Sequence, residues 1–335
     1  MSDASAVPGA VSSAVPDVQI GPVPMPLCPL ALGGSVFGSG SWTGPQRAEL
    51  ADAIEGALAC GIRHFDTAGD YGGGASERLL GERLAGRLAG RREQVFLASK
   101  ASLDVMDADL MLAKVDESRA RLQTDVIDLY YIHWPRAGQD LRPLMEGLER
   151  ARAQGKVRAV GVSNFSVAQM QQVAEVGRID AHQLGYNLFW RAAEAEIIPY
   201  CREHQIAVVT YSSIAQGILA GKYGLQPQFG PGDGRASTVH FEPAVWPHVY
   251  AAVEELKLLA AEVGRPLTHL AIRWVLAQEG IHTAVVGAKN RRQAEDNAAA
   301  LAGVIPASIF ARMTAISGRL AAVLPDTGNV YRYYP

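Results

Sequence analysis

The chain of 335 residues is 48% hydrophobic and carries a formal net charge of −3, with no block of lysine or arginine. That supplies apolar surface for a sizeable core and lacks the positive footprint expected of a nucleic-acid or anionic-membrane binder, leaving small neutral or weakly charged molecules as the expected partners. Cys28, Cys60 and Cys201 lie far apart with no CxxC or Cys/His spacing, so neither a disulfide framework nor a zinc site is expected.

Residues 1 to about 24 are rich in Ala, Ser, Val and Pro, with prolines at 8, 16, 22 and 24, and are expected to form a flexible tail ahead of one domain spanning 25–335. No apolar run approaches membrane-spanning length and the N-terminus lacks the basic-then-apolar order of a secretory signal, so the expected location is the cytoplasm. From Leu27 onward, short β-branched runs alternate with helical spacing. Strands are expected at Leu30–Gly34, Ile62–Asp66, Val95–Lys100, Val126–His133, Val157–Ser163, Ile179–Gln183, Ile206–Tyr211 and Ile281–Val286. Between them the helical period recurs, as in Leu50, Ile54, Ala57 and Leu58, in Leu144, Leu148 and Ala151, and in Ala294, Ala298 and Leu301. Eight βα units predict an α/β fold of the closed (β/α)8 TIM barrel type. A Gly/Pro-rich connection from Tyr223 to Trp246 without apolar period follows the seventh strand, as in a lid or a disordered loop. A helix from about Ala307 to Leu324 and an aromatic tail close the chain and could pack beside the barrel mouth.

Barrels of this kind place their chemistry at the C-terminal strand ends. Asp66 ends the second strand, Lys100 the third and His133 the fourth, and Tyr71 follows Asp66 by five residues. Each alone has an ordinary reading: a strand-end cap, a loop charge, a core histidine, a pocket wall. Together they form a proton-donating device. A phenol with a pKa of about 10 is a poor donor at neutral pH, and a neighbouring Lys⁺ favours its phenolate. Asp66 would hold Lys100, and His133 could hydrogen-bond a substrate oxygen beside Tyr71.

The segment Asp66-Thr-Ala-Gly-Asp-Tyr71-Gly-Gly-Gly-Ala-Ser-Glu-Arg-Leu-Leu-Gly81 resembles the signature of the aldo-keto reductases, and the likeness continues over nearly all of residues 27–305. It includes Ser163-Asn164-Phe165, Gln183-Leu-Gly-Tyr186-Asn187, Tyr211 to Tyr223, and Val286-Gly287-Ala-Lys289. The resemblance implies NADPH bound in extended form, with Asp66, Tyr71, Lys100 and His133 as the catalytic tetrad, and reduction of an aldehyde or ketone to an alcohol or the reverse. It further implies that Ser163, Asn164 and Gln183 hold the nicotinamide carboxamide while Tyr211 stacks on the ring. Ser212, Gln216, Gly217, Leu219, Gly221 and Lys222 would follow the pyrophosphate. Gly287, Ala288, Lys289, Gln293, Asp296 and Asn297 would take the adenosine end, with Lys289 on the 2′-phosphate. Ser213, Ile214 and Val286 stand where the family usually has proline, leucine and proline.

Gly38-Ser-Gly-Ser-Trp-Thr-Gly44 has a final spacing one residue too long for a dinucleotide fingerprint and is expected to be a substrate-facing loop. His64 and His182 have no ligand-spaced partner, so both are expected to pack, and no metal is expected. Phe37, Trp42, Trp134, Phe189 and Trp190 are candidate walls of an apolar substrate pocket. A Schiff-base aldolase using Lys100 is a weaker alternative because Asp66 opposes the neutral amine. A cofactor-sensing regulatory subunit is the non-enzymatic alternative. Oligomeric state is open.

Overall fold

The computed structural model describes residues 15–38, 46–231, 233–325 and 330–331. Eight parallel strands close into a barrel in sequence order: β1 Leu30–Gly33, β2 His64–Asp66, β3 Phe96–Ala101, β4 Ile127–Ile132, β5 Val157–Ser163, β6 Ala181–Gly185, β7 Ala207–Tyr211 and β8 Ile281–Gly287. All eight fall at the expected positions, with ends moved by a residue or two.

Helices α1 (Arg47–Ala59), α2 (Ala75–Gly90), α3 (Ala108–Leu122), α4 (Arg142–Ala153), α5 (Val167–Ala174) and α6 (Ile197–Glu203) fill the successive crossovers. Two helices, α7 (Trp246–Glu262) and α8 (Leu267–Leu276), occupy the connection between β7 and β8, and α9 (Arg291–Ala299) and α10 (Ala307–Ala321) follow. Their starts are chemically marked: Asp107 accepts from the Leu110 amide at 2.8 Å ahead of α3, and Asn290 from the Gln293 amide at 3.0 Å ahead of α9. The apolar faces turn inward as the spacing predicts, with Leu50, Ile54 and Ala57 of α1 and Leu144, Leu148 and Ala151 of α4 buried against the sheet.

Alternation along the strands divides the core in two. One set, including Leu32, Phe65, Leu97, Tyr130 and Val160, meets the helices. The other, Ala31, Phe96, Ala98, Leu129, Tyr131, Ala159, Ala181, Ala207, Val209 and Val285, fills the barrel interior. Five alanines, on β1, β3, β5, β6 and β7, leave the room that Phe96, Leu129 and Tyr131 occupy.

The expected tail boundary at residue 24 is corrected. Val18 and Leu27 exchange backbone hydrogen bonds of 2.8 and 2.9 Å in a small antiparallel turn, and Ile20, Val23, Met25 and Leu27 are buried with the interior cluster. Gly21, at φ 53°, sits against Asp180 just before β6, which places this turn at the N-terminal end of the barrel. The proline-rich composition conceals a plug because these side chains find apolar surface only once the barrel exists.

The connection from Tyr223 to Trp246 also differs from its sequence pattern. Tyr223, Phe229, Phe241 and Trp246 cluster with ring centroids 4.7 to 6.1 Å apart, around short 3-10 turns at Gly234–Ser237 and Val239–Phe241. A compact aromatic knot needs no amphipathic period. The Val239 amide donates to the Val330 carbonyl at 3.1 Å, tying the C-terminal tail to this loop. Among the described residues no helix is long and apolar enough to cross a membrane.

Candidate active site

Strand alternation aims Asp66, Lys100 and Gln183 into the barrel above its alanine layer. Lys100, buried to 1% exposure, donates to Asp66 Oδ1 at 2.6 Å and to the Thr67 carbonyl at 2.9 Å. Gln183 donates through Nε2 to the other Asp66 oxygen, also at 2.6 Å. A buried carboxylate is tolerable only with such partners. The Lys100 ammonium lies 5.2 Å from the centroid of the Tyr71 ring. His133 continues the β4 ladder, its amide donating to Ala101 at 3.0 Å, and its ring meets Tyr71 edge-on at 5.8 Å. Four groups chosen on sequence alone therefore share one cleft.

Tyr131 offers a useful contrast. It is a second tyrosine beside Asp66, but it lies fully buried in the barrel interior, where burial and then the Asp66 charge push its phenol far above the usual range. Tyr71 is placed in the loop instead, where Gly38 supports it. A Cβ at Gly38 would overlap the backbone of Tyr71 and Gly72, so only glycine lets the segment after β1 lie this close.

The predicted cofactor residues ring the same mouth. The Asn164 amide nitrogen donates to the His133 carbonyl at 3.1 Å and to Ser163 Oγ at 3.0 Å, while its oxygen accepts from the Tyr211 hydroxyl at 2.7 Å. Ser212, Ala215, Gln216 and Gly217 have positive φ values, folding the backbone after β7 into a tight series of turns of the kind that cradles anions. Gln216 Oε1 is buried without a partner among the described residues. Lys222 is drawn downward from its usual range by burial first and then by Arg235 and Lys289, with Asp233 opposing. Such crowding of cations would be relieved by a phosphate. Gln293 accepts from the Lys289 amide at 2.9 Å and Asn297 donates to the Gly287 carbonyl at 3.2 Å, bracing the β8 exit. Leu219 and Ala288 are buried, Gly221 takes a left-handed φ of 67°, and Asp296 pairs with His269 at 3.1 Å. A carboxamide acceptor and donor set, a flat phenol, an anion cradle and cations in succession fit an extended dinucleotide.

A model of the aldo/keto reductase family matches residues 29–317. The chain belongs to that family. This aldo-keto reductase is 35% identical over 275 residues to aldo-keto reductase YhdN of Bacillus subtilis, covering 79% of this chain and 82% of that protein. It is 30% identical over 307 residues to an NADH-specific methylglyoxal reductase of Escherichia coli, covering 85% and 93% of the two chains. Among solved structures it resembles a glycerol dehydrogenase from Gluconobacter oxydans with a TM-score of 0.84 at 29% identity, over 93% of this chain and 97% of that one. The protein is accordingly an oxidoreductase, and these relatives support a nicotinamide cofactor.

The pocket walls of this aldo-keto reductase are mixed. Trp190 lies over Gly185 at the end of β6 and meets Tyr211 edge-on at 5.9 Å, and the Trp134 ring is 5.8 Å from His133. Phe37 is buried in the core shared by sheet and helices, while Phe189, beside His240, lines a cavity with Trp190, Arg191, Ser317 and Val330. Trp42 lies outside the described residues. His64 packs edge-on to Phe96 at 4.6 Å, and His182 Nε2 accepts from the Phe165 amide at 3.1 Å, each inside the protein. No group of three or more His, Cys, Asp or Glu that could hold a metal occurs among the described residues.

Sequence reasoning missed three contributors. Asp70 accepts from Ser102 Oγ at 2.8 Å and pairs with His133 Nδ1 at 3.1 Å. Its signal was available, since Asp70 adjoins Tyr71 and Ser102 follows the end of β3, two residues beyond Lys100. Arg235 joins the cation cluster from the long connection. Tyr331 reaches Ser212 Oγ at 2.8 Å, hydrogen-bonds Gln216 and stands edge-on to Trp190 at 6.0 Å. Nothing local announces that contact, 119 residues away from Ser212.

Proposed function

We propose that the protein interconverts carbonyl compounds and alcohols with NADP(H), Tyr71 supplying or removing the proton at the substrate oxygen. The observation that carries this reading is the Lys100 ammonium, held by Asp66 at 2.6 Å and set 5.2 Å from the Tyr71 ring. A cation fixed beside a phenol favours loss of its proton, which a general acid must be able to give up. His133, edge-on to Tyr71, lies on the side where a substrate oxygen would gain or lose charge.

A bound nicotinamide would supply or take up the hydride. Ser163, Asn164 and Gln183 would orient its carboxamide, and Tyr211 and Trp190 would fix the plane of the ring and keep water from its face. Ser212, Gln216, Gly217, Leu219, Gly221 and Lys222 would hold the pyrophosphate. Gly287, Ala288, Lys289, Gln293, Asp296 and Asn297 would hold the adenosine end. The cations Lys222, Arg235 and Lys289, with Asp233 paired to Arg235 among them, support NADPH, whose additional phosphate would add a charge-assisted contact that NADH does not make. The E. coli relative named as NADH-specific makes this the point to measure. Titration of the protein with NADPH and NADH, followed by turnover of 4-nitrobenzaldehyde and of glycerol, tests cofactor and activity separately. Tight cofactor binding with no turnover of any carbonyl or alcohol would favour the regulatory-subunit reading instead.

A Schiff-base mechanism fits the geometry poorly. Lys100 is spent on Asp66 and the Thr67 carbonyl, and a nucleophilic amine would have to give up both contacts. Borohydride trapping of substrate carbon on Lys100 would reverse this conclusion.

A further inference from the structure

We infer that Asp70 is a positioning residue that fixes the His133 ring with its proton on Nδ1, so that the neutral imidazole offers Nε2 to the cleft as an acceptor and donates there only after gaining a second proton. The inference rests on the proposed carbonyl–alcohol chemistry for its consequence, though not for the tautomer itself.

Asp70 Oδ2 receives Ser102 Oγ at 2.8 Å and stands 3.1 Å from His133 Nδ1. Burial alone would raise the Asp70 carboxyl, but the bonds from His133 and Ser102 outweigh it and hold the group below the usual carboxylate range. An ionised carboxylate only accepts, so Nδ1 must carry the hydrogen. A neutral imidazole has one N–H, and Nε2 is then bare. The ring's surroundings keep it neutral at pH 7. Burial lowers its affinity for a second proton and Lys100 adds to that, against Asp70 and Asp66. The other groups packed on it are the Tyr71 edge at 5.8 Å, the Trp134 ring at 5.8 Å and the Asn164 amide on its backbone carbonyl. None of these carries a formal charge at neutral pH, so Asp70 is the contact that chooses the nitrogen.

The chemistry that follows is directional in its protonation. Reduction joins hydride and one proton to the carbonyl carbon and oxygen, and oxidation returns both, the proton going to solvent through the site. A bare Nε2 accepts a hydrogen bond from an alcohol hydroxyl. Against the lone pairs of a carbonyl oxygen it offers nothing until protonated. Carbonyl turnover should therefore carry a term that grows as pH falls through the His133 pKa, which lies below 6.5. Alcohol binding should be favoured above it.

The test combines spectroscopy with kinetics on the full chain holding NADPH. With nitrogen-15 histidine, the His133 signal, assigned by its loss in His133→Asn, should report Nδ1 protonated and Nε2 bare at neutral pH. Asp70→Asn offers an amide that can donate to Nδ1, so its His133 should shift toward the Nε2–H form. The pH dependence of kcat/KM for 4-nitrobenzaldehyde between about pH 5 and 8 should flatten, and KM for glycerol should rise about tenfold. Ser102→Ala, which frees Asp70 without touching the ring, should produce a weaker change in the same direction. A wild-type signal with the proton on Nε2 overturns the inference, as does an Asp70→Asn protein with unchanged tautomer and unchanged pH profile. Absence of any turnover in the wild type would overturn the reductase reading, while the nitrogen signal would still decide the role of Asp70.

Discussion

A single oxygen atom carries the sharpest expectation at the residue scale. Tyr71→Phe keeps the ring beside Lys100 and His133 and deletes the proton, so turnover should fall about 10²- to 10⁴-fold, the usual worth of positioned acid catalysis. The dissociation constant for NADPH should stay within about twofold, because the candidate cofactor residues lie on β5 to β8. Loss of both together would mean that Tyr71 shapes the cleft and does not act chemically. Lys289→Ala addresses the cofactor. A screened phosphate contact is worth roughly 1 kcal/mol, so NADPH should bind about fivefold more weakly while NADH is unaffected. Equal losses would place Lys289 among the structural residues of the β8 exit. Asp66, Lys100 and His133 were legible in the sequence because each is a polar residue closing an apolar strand, and Tyr71 because it follows at loop distance. The aromatic tail was expected beside the mouth, but the contact of Tyr331 with Ser212 and Trp190 was not, since it depends on where the tail crosses. Phe37 misled for the opposite reason, an aromatic near a mouth having two faces to choose from.

At the scale of elements, strand positions could be read because a barrel strand is a short, largely apolar run, β-branched in β5, β7 and β8, set between stretches of helical period. Helix faces could be read from their period. The N-terminal plug could not, because prolines that discourage helix and strand are compatible with a hydrogen-bonded turn once Ile20 and Val23 have a surface to enter. That turn is expected to matter for stability. Ile20→Ala removes most of a fully buried side chain and should cost about 2–5 kcal/mol. Chemical denaturation with the linear extrapolation measures it directly. A loss below about 0.5 kcal/mol, the size of an ordinary surface change, would show that residues 18–27 only lie against the barrel. The aromatic knot of the β7–α7 connection escaped the sequence for a related reason: four rings scattered over 24 positions carry no period.

Across the whole molecule, the buried histidines set an acid limit on stability. His64 and His182 are fully buried, and burial drives their pKa values down to about 4 and about 3, the nearby Asp66 only partly opposing this for His64. In the unfolded chain both should titrate near 6.5. Between that value and their folded values the unfolded state binds protons that the folded state refuses, so stability rises with pH and is lost as pH falls below about 6.5. Each histidine contributes a slope of about 1.4 kcal/mol per pH unit in its window, so the pair should give nearly twice that between about pH 6 and 4. His133, His240 and His282, lowered by burial as well, steepen the same limb. Carboxylates held low by partners, such as Asp70 and Asp116, act only further into acid. Neither His64 nitrogen has a hydrogen-bond partner among the described residues, so His64→Leu replaces the ring without breaking a bond. Unfolding midpoints measured along this pH range should fall less steeply in His64→Leu than in the parent. Parallel curves would mean that His64 takes up its proton in the folded barrel, through water or a shift of Phe96, and that acid lability originates at the carboxylates.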